Sequence, residues 1–359
     1  SSLIWLRPRQ PERIFMVQRL GRIFGSGIAY SSQLSCVAHG VSSNLFRRDL
    51  VKSIAGRRMT SAATSPGALA VHVYLSEGRD ADLISRFVRS AEVPGVLVTD
   101  TFVDNAYHRV GITLASLEFS CLESSIAAIC RETLSALDLR RHQASHPRLG
   151  VVDHICCNPL GSLSLAEAGQ FARSVAAELG KGLAANATAP AAPAVPVYLY
   201  GTAHDSQRSL AELRRQLAYF KGANTGEWSG LAPEVVAAVH ALPGEFGPPE
   251  VDPRLGVTVV GAVPWVTNYN LLLTSSAASL EQAELMKRCQ RVARATSARG
   301  GGLVAVETMA LPHENGVEVA CNLLDETVSP AAVVKAKVLE LCGAEGLEVR
   351  DDYFTKKGR

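Results

Sequence analysis

The tract from Ser145 to His154 carries the residues of this chain best suited to proton chemistry. Within it, His146-Pro147-Arg148 places an imidazole and a guanidinium two residues apart. Proline fixes its own φ at about −65° and keeps the preceding residue out of the helical region, so His146 is expected at a defined loop position. The apolar run that follows predicts a buried strand. A histidine at a sheet edge, beside a cation, suits a proton shuttle for an anionic substrate, although a turn histidine bonded to backbone is the simpler alternative.

Three arginines and one asparagine are further candidates for binding a polar substrate. Arg109 begins a predicted strand, whereas Arg148 and Arg254 lie in predicted loops. Each guanidinium offers a two-pronged fork for a carboxylate, so several arginines around one pocket would recognise an acidic substrate. Singly, a loop arginine is usually only solvated. Asn270 precedes an apolar run and would either present its amide to a polar heterocycle or form a turn.

The histidines also suggest a metal site as an alternative. His142, His146 and His154 lie within a short stretch of sequence, but a proline and a predicted strand separate them. A zinc site prefers ligands on short fixed loops or on one helix face, so this pattern favours a metal-dependent hydrolase only weakly, and no metal is expected. The sequence contains no G-x-S-x-G, P-loop lysine, dinucleotide-binding or H-E-x-x-H motif, which disfavours common hydrolases, kinases and dehydrogenases.

Composition indicates a globular protein with an unusual N-terminal segment. The 359 residues are 47% hydrophobic and 19% charged, with a net charge of +2 and no stretch suited to a membrane span. Residues 1–58 hold ten basic and two acidic residues, which is typical of an organellar transit peptide or of translated upstream sequence before Met59. The remainder carries a formal charge of −6, which argues against nucleic-acid binding. The eight scattered cysteines suggest reduced thiols and a cytoplasmic or mitochondrial location.

The order of predicted elements gives the fold class. Both halves of the chain alternate strands with helices long enough to cover one sheet face, and the second half reads β-β-α-β-β-α-β. Ser164 and Glu167 form a capping-box pattern before a periodic helix. A Pro/Gly-rich, aperiodic stretch from Trp228 to Pro253 separates the halves. We expect an α+β protein with two α/β sandwich subdomains, mixed β-sheets and ferredoxin-like character, divided into 1–68 (extension), 69–245 and 246–359.

Several widely spaced blocks, in a consistent order, resemble the formiminotransferase domain of the formiminotransferase-cyclodeaminase family. The similarity is greatest to the plant single-function, folate-binding members. The blocks are Ser76-Glu77-Gly78, SHPRLGVVDH (145–154), VYLYG (197–201), Gly247-Pro248, Leu255-Gly256-Val257, Tyr269-Asn270, Arg299-Gly300-Gly301-Gly302 and VACNLL (319–324).

The resemblance implies a site between two subdomains that binds tetrahydrofolate, as co-substrate, together with a glutamate-derived small molecule. It implies that His146 is the catalytic acid/base, that Asp100 matches a family acid, and that the protein forms a homodimer. The segment that the resemblance assigns to folate contact consists of Gly247, Pro248, Pro249, Glu250, Val251, Asp252, Pro253, Arg254, Leu255 and Gly256.

The implied function is transfer of a formimino or formyl group between glutamate and N5 of tetrahydrofolate. Arg148 would pair with a substrate carboxylate beside His146. Two positions depart from the family pattern: Phe102 stands at the second acid, and His108 stands before Arg109 in place of asparagine. These departures favour an alternative function, folate binding without turnover.

Overall fold

The computed structural model describes residues 67–185, 190–221, 227–275, 280–314 and 316–356. The basic segment 1–58 and its transit-peptide interpretation lie outside these residues. The strands in chain order are β1 (Ala68–Leu75), β2 (Leu97–Asp104), β3 (Arg109–Ser116), β4 (Gln143–Ala144), β5 (Val152–Leu160), β6 (Val197–Gly201), β7 (Trp228–Ser229), β8 (Thr258–Ala262), β9 (Thr267–Ser275), β10 (Val306–His313), β11 (Gly316–Leu323) and β12 (Leu347–Lys356). The α-helices are α1 (Ala81–Ser90), α2 (Phe119–Ala136), α3 (Leu165–Lys181), α4 (Leu210–Gln216), α5 (Pro233–Ala241), α6 (Gln282–Thr296) and α7 (Ala331–Glu345).

The first sheet is mixed and has six strands in the order β2-β3-β1-β5-β8-β6. The first four strands in this order, β2, β3, β1 and β5, pair antiparallel with their neighbours, whereas β8 pairs parallel with both β5 and β6. Alternation along β1 buries Val71 and Val73 in a core with helices α1, α2 and α3, and turns His72 and Tyr74 to the opposite face. This sheet therefore has one aliphatic face and one face rich in polar and aromatic side chains.

The second sheet has four strands in the order β10-β11-β9-β12, and all neighbours are antiparallel. It packs one face on α6 and α7 around a core that includes Leu271 and Val319. Its β-α-β-β-α-β order is the ferredoxin-like arrangement, and β2-β3-β1-β5 repeat the same order in the first sheet. The α+β class with ferredoxin-like character is confirmed. The first sheet is mixed because β8 and β6 extend it in parallel beyond β5, whereas the four described strands of the second sheet are antiparallel throughout.

Two elements differ from the predicted organisation. The strand β8, predicted to open the second subdomain, lies between β5 and β6 in the first sheet, so the sheets change over between Ala262 and Thr267. The aperiodic stretch 228–253 contains the helix α5, which begins with Pro233 at its first turn and buries Val235 and Val239. By contrast, the predicted capping box at the start of α3 is confirmed, since Ser164 and Glu167 each accept the other's backbone N–H.

Candidate functional site

His146 is partly buried in the loop before β5, and one of its ring nitrogens is already engaged. Nδ1 lies 2.7 Å from the Pro147 carbonyl oxygen and 3.1 Å from a terminal nitrogen of Arg109. A carbonyl can only accept a hydrogen bond and is the nearer of the two groups, so Nδ1 carries the proton and donates it to Pro147, and the Arg109 nitrogen is a close neighbour rather than a hydrogen-bond partner. The neutral ring then keeps its lone pair on Nε2, and no described residue hydrogen-bonds that atom. The arrangement presents a proton acceptor.

The charge state of His146 follows from its surroundings. Burial, followed by the charges of Arg109 and Arg148, holds the pKa of His146 well below its ordinary value of 6.5. The imidazole is therefore neutral at physiological pH and acts first as a base. The proton shuttle expected from sequence would work best with an imidazole pKa near 7, and this environment lowers the pKa of His146 away from that range.

Arg109, at the start of β3, lies beside the same ring nitrogen of His146. Its guanidinium is 3.0 Å from the carboxylate of Asp153 and lies over the ring of Tyr74, 4.7 Å from the ring centre. Although burial opposes the charge, Asp153 raises the pKa of Arg109, so the cation is permanent. The other carboxylate oxygen of Asp153 accepts the backbone N–H of Leu149 at 2.7 Å, which closes the loop after Arg148.

Arg148 is buried and binds backbone. Its terminal nitrogens donate to the carbonyls of Tyr107 at 2.7 Å, His146 at 2.9 Å and His108 at 3.3 Å. Burial is the main cause that lowers the pKa of Arg148 to about 9. The guanidinium thus joins the β2–β3 turn to the histidine loop, and its predicted contact with a substrate carboxylate stays a prediction.

The second sheet reaches this site through Tyr107. The Tyr107 ring centre is 5.0 Å from that of His146, and its hydroxyl donates to Glu318 on β11 at 2.5 Å. Asn270 on β9 donates to the same carboxylate oxygen at 2.6 Å, and Tyr353 on β12 donates to the other oxygen. Asn270 therefore connects to the histidine loop through Glu318 and Tyr107, and its predicted contact with substrate stays a prediction.

A second contact between the sheets lies beside this one. His313 Nε2 on β10 is 3.1 Å from Asp104 at the end of β2, and the other oxygen of Asp104 accepts the Tyr107 N–H at 2.8 Å. Burial opposes the charge on His313, but the hydrogen bond to Asp104 and the charges of Glu318, Asp104 and Glu314 together outweigh it and raise the pKa of His313. Asp104 thereby fixes both the turn between β2 and β3 and the distance between β2 and β10.

Asp100 projects from the polar face of the first sheet. It pairs with Thr113, and Phe102 pairs with Gly111, so both side chains share the face of Tyr74, whose ring covers Gly111. Asp100 is exposed and Phe102 partly buried. This face offers a carboxylate and an aromatic ring beside the Arg109 site.

The segment 247–256 runs partly along the histidine loop. Leu255 accepts the Val151 N–H, and Leu149 accepts the Val257 N–H, both at 2.8 Å. Arg254 instead donates to the carbonyls at the end of α2, at 3.1 and 3.3 Å, so it does not join the other two arginines. Of the three candidate arginines, Arg109 and Arg148 therefore lie at the histidine loop.

The three histidines of the metal alternative have separate surroundings. The His142 ring stacks on that of His108 at 4.3 Å, beside a cavity of about 220 Å³, and His154 hydrogen-bonds the Tyr200 hydroxyl at 2.7 Å. Among the described residues, no group of three histidine, cysteine or carboxylate side chains could hold a metal. Within the same residues, no helix combines the length and apolar character that a membrane span requires.

The sequence patterns do not single out Tyr107, Asp153 or Glu318 as residues of this site. The signal for Glu318 was available, since a lone carboxylate alternates with Val317 and Val319 in an otherwise apolar strand. The signal for Tyr107 was not, because a tyrosine in a turn has no preferred partner in sequence.

Comparison with known proteins fits these observations. The family model for the formiminotransferase domain, N-terminal subdomain, matches residues 68–263, which is the segment that forms the six-stranded sheet. A formiminotransferase cyclodeaminase-like protein of Arabidopsis thaliana is 39% identical over 79% of this chain and 91% of its own length. The chain belongs to the formiminotransferase family.

More distant members of the formiminotransferase family are also similar. A formimidoyltransferase-cyclodeaminase of Gallus gallus is 28% identical over 73% of this chain and 45% of its own length. A glutamate formimidoyltransferase of Streptococcus pyogenes serotype M1 is 23% identical over 70% of this chain and 75% of its own length. The chain thus spans less than half of the Gallus protein.

Proposed function

We propose that this chain transfers a formimino or formyl group between glutamate and N5 of tetrahydrofolate, with His146 as the base. The observation that carries the proposal is the neutral imidazole whose Nδ1 donates to Pro147, which leaves Nε2 as the proton acceptor of a ring that lies beside two buried arginines. The names of the family relatives support the transfer class.

His146 would move one proton twice. Tetrahydrofolate supplies the acceptor nitrogen, and Nε2 of His146 takes its proton as the new C–N bond forms. The same proton then passes to the glutamate nitrogen as the old C–N bond breaks, so the imidazole ends neutral. A positioned acid/base group of this kind typically contributes about 10²–10⁴-fold to the rate.

Residues on the sheet face fit a pterin. A pterin ring presents N–H donors at its edge and an apolar face, and Asp100 and Phe102 offer a carboxylate and an aromatic ring on one face of β2. Segment 247–256 would contact the remainder of the folate, beside the loop that carries His146. Arg109, beside the imidazole, would stabilise negative charge that develops on the substrate.

The test compares His146→Ala and His146→Gln with the unmodified chain. Transfer from formiminoglutamate and from formylglutamate to tetrahydrofolate is measured, with folate affinity measured separately by calorimetry. We expect kcat to fall at least about 100-fold in both variants with folate affinity retained. Unchanged kcat in either variant would reject His146 as the base.

A second candidate function is folate binding without turnover. The observation in its favour is the low pKa of His146, because burial and two arginines make the imidazole a weak proton acceptor. Tight folate binding with no transfer from either donor would select this function. Transfer from one donor would exclude it.

A further inference from the structure

We propose that Glu318, acting through the Tyr107 hydroxyl, positions the His146 ring, so that the second sheet orients the base of the first. This inference rests on the proposed function for its kinetic consequences. Its structural part concerns the imidazole alone and is measured independently of activity.

Glu318 is a rigid anchor. Its side chain has no solvent exposure, and three donors from three different elements hold it: Tyr107, Asn270 and Tyr353. A buried carboxylate needs such donors because desolvation without them is costly. Because both oxygens accept hydrogen bonds, the carboxylate is held in a single position. The 2.5 Å hydrogen bond from the Tyr107 hydroxyl to this carboxylate in turn fixes the position of that hydroxyl.

Tyr107 passes its position to His146 by two routes. The rings touch directly, with 5.0 Å between their centres at 59°. One terminal nitrogen of Arg148 also donates to both the Tyr107 and the His146 carbonyls, at 2.7 and 2.9 Å, which couples the two backbones. A shift of Tyr107 therefore changes both the wall against the imidazole and the loop that carries it.

The base thereby depends, through Tyr107, on a residue that lies 211 positions from Tyr107 in sequence and on the other sheet. A misplacement of about 1 Å can cost about 100-fold in rate, so loss of the Tyr107 hydroxyl should act on kcat even though the Tyr107 ring remains. An effect on the step alone lowers kcat and kcat/KM equally and leaves KM unchanged.

The experiment uses the full chain with Tyr107→Phe, Glu318→Gln, Glu318→Leu and a matched control, Tyr269→Phe. The control removes another tyrosine–carboxylate hydrogen bond of the second sheet, 2.7 Å to Asp352, away from the site. Two readouts are taken: kcat and KM for transfer, and ¹⁵N NMR of the His146 tautomer and pKa, with His146→Gln identifying its signals.

We expect kcat to fall about 10-fold in Tyr107→Phe and Glu318→Leu with KM unchanged, and His146 to lose its single Nδ1–H tautomer. Glu318→Gln keeps a hydrogen-bond acceptor at this position, so most of the parent kcat should be retained. Combining Tyr107→Phe with Glu318→Leu should add nothing to Glu318→Leu, because both break one connection.

An unchanged His146 spectrum in Tyr107→Phe would overturn the proposal, as would losses that add in the double variant. Because Glu318→Leu leaves three donors without an acceptor, Tyr107→Phe decides the outcome if that variant does not fold. A chain inactive on every donor rejects the proposed transfer, while the NMR comparison still decides whether Glu318 and Tyr107 position the ring.

Discussion

At the scale of single residues, the direction of one hydrogen bond sets the chemistry of the site. Because the Pro147 carbonyl takes the Nδ1 proton, His146 presents a lone pair at Nε2. Burial, followed by the charges of two guanidinium groups, keeps the ring unprotonated. Arg109 is paired with Asp153, and Arg148 is bound to backbone carbonyls. The base is thus ready before any substrate arrives.

The pH dependence of the reaction should reflect this. Since the pKa of His146 lies well below 6.5, kcat/KM should stay level from pH 8 to below pH 6.5 and fall only at more acidic pH. Steady-state rates across this range, in buffers of constant ionic strength, provide the measurement. A fall centred near pH 7 that disappears in a His146→Gln background would contradict the environment described.

At the scale of elements, glycine at the end of segment 247–256 lets that segment lie against the histidine loop. Gly256 has φ of +70°, and a Cβ there would be 2.1 Å from the Leu149 carbonyl oxygen. Gly256→Ala should therefore destabilise the fold by more than about 2 kcal/mol and lower kcat. Gly301→Ala is the control, because Gly301 also has a positive φ, +83°, but open space around it. Urea unfolding measures both, and equal losses would show that strain alone matters.

The turn between β2 and β3 gives a second prediction. Arg148→Lys leaves at least two of three carbonyl contacts unmade, because an ammonium cannot span them, and should cost about 3 kcal/mol of unfolding free energy. Arg254→Lys breaks two comparable contacts at a more exposed position and should cost about 1 kcal/mol. Urea unfolding of the two variants is compared, and a larger loss in Arg254→Lys would mean that Arg148 does not brace the turn.

Much at this scale could be predicted from sequence. The His-Pro step, the capping box and the alternation in the strands are local patterns, and they lie where expected. The helix α5 was missed because its stretch is surrounded by prolines and glycines. The place of β8 was missed because strand order is a long-range property that periodicity does not encode.

At the scale of the whole molecule, the buried histidines make stability depend on pH. Burial is the main cause that lowers the pKa of His142 to about 2 and of His108 to about 4, and it also lowers that of His146. Between pH 6.5 and these values the unfolded chain binds more protons, so stability is lost as the pH falls. His313 has a raised pKa, so its contribution is full below pH 6.5 and is lost as the pH rises through its folded pKa.

We expect the unfolding free energy to fall by about 1.4 kcal/mol per pH unit for each low-pKa histidine below pH 6.5. Urea unfolding at pH 7.5, 6.0 and 5.0 measures the slope. His142→Gln should remove one share of that slope. A slope identical in the variant and the parent would show that His142 is not buried in its neutral form.

The contacts between the sheets could not be predicted at this scale. Asn270, a candidate from its residue type alone, connects to the site through Glu318 and Tyr107, which join positions far apart in the chain. Such pairs depend on tertiary packing, and neither local spacing nor residue type reveals them. The resemblance to a family predicted that two subdomains share a site, but not which side chains connect them.

The insertion of β8 has a consequence for how the chain acquires its structure. Among the strands that the structure describes, β6 pairs only with β8, and β8 is synthesised only after α4 and α5. During synthesis on the ribosome, the backbone N–H and C=O groups of β6 therefore have no strand partner until Ala262, the last residue of β8, has emerged. A fragment that ends at residue 246 lacks β8, so β6 would never pair with the sheet. In that fragment β5 would be an unprotected edge strand available for aggregation.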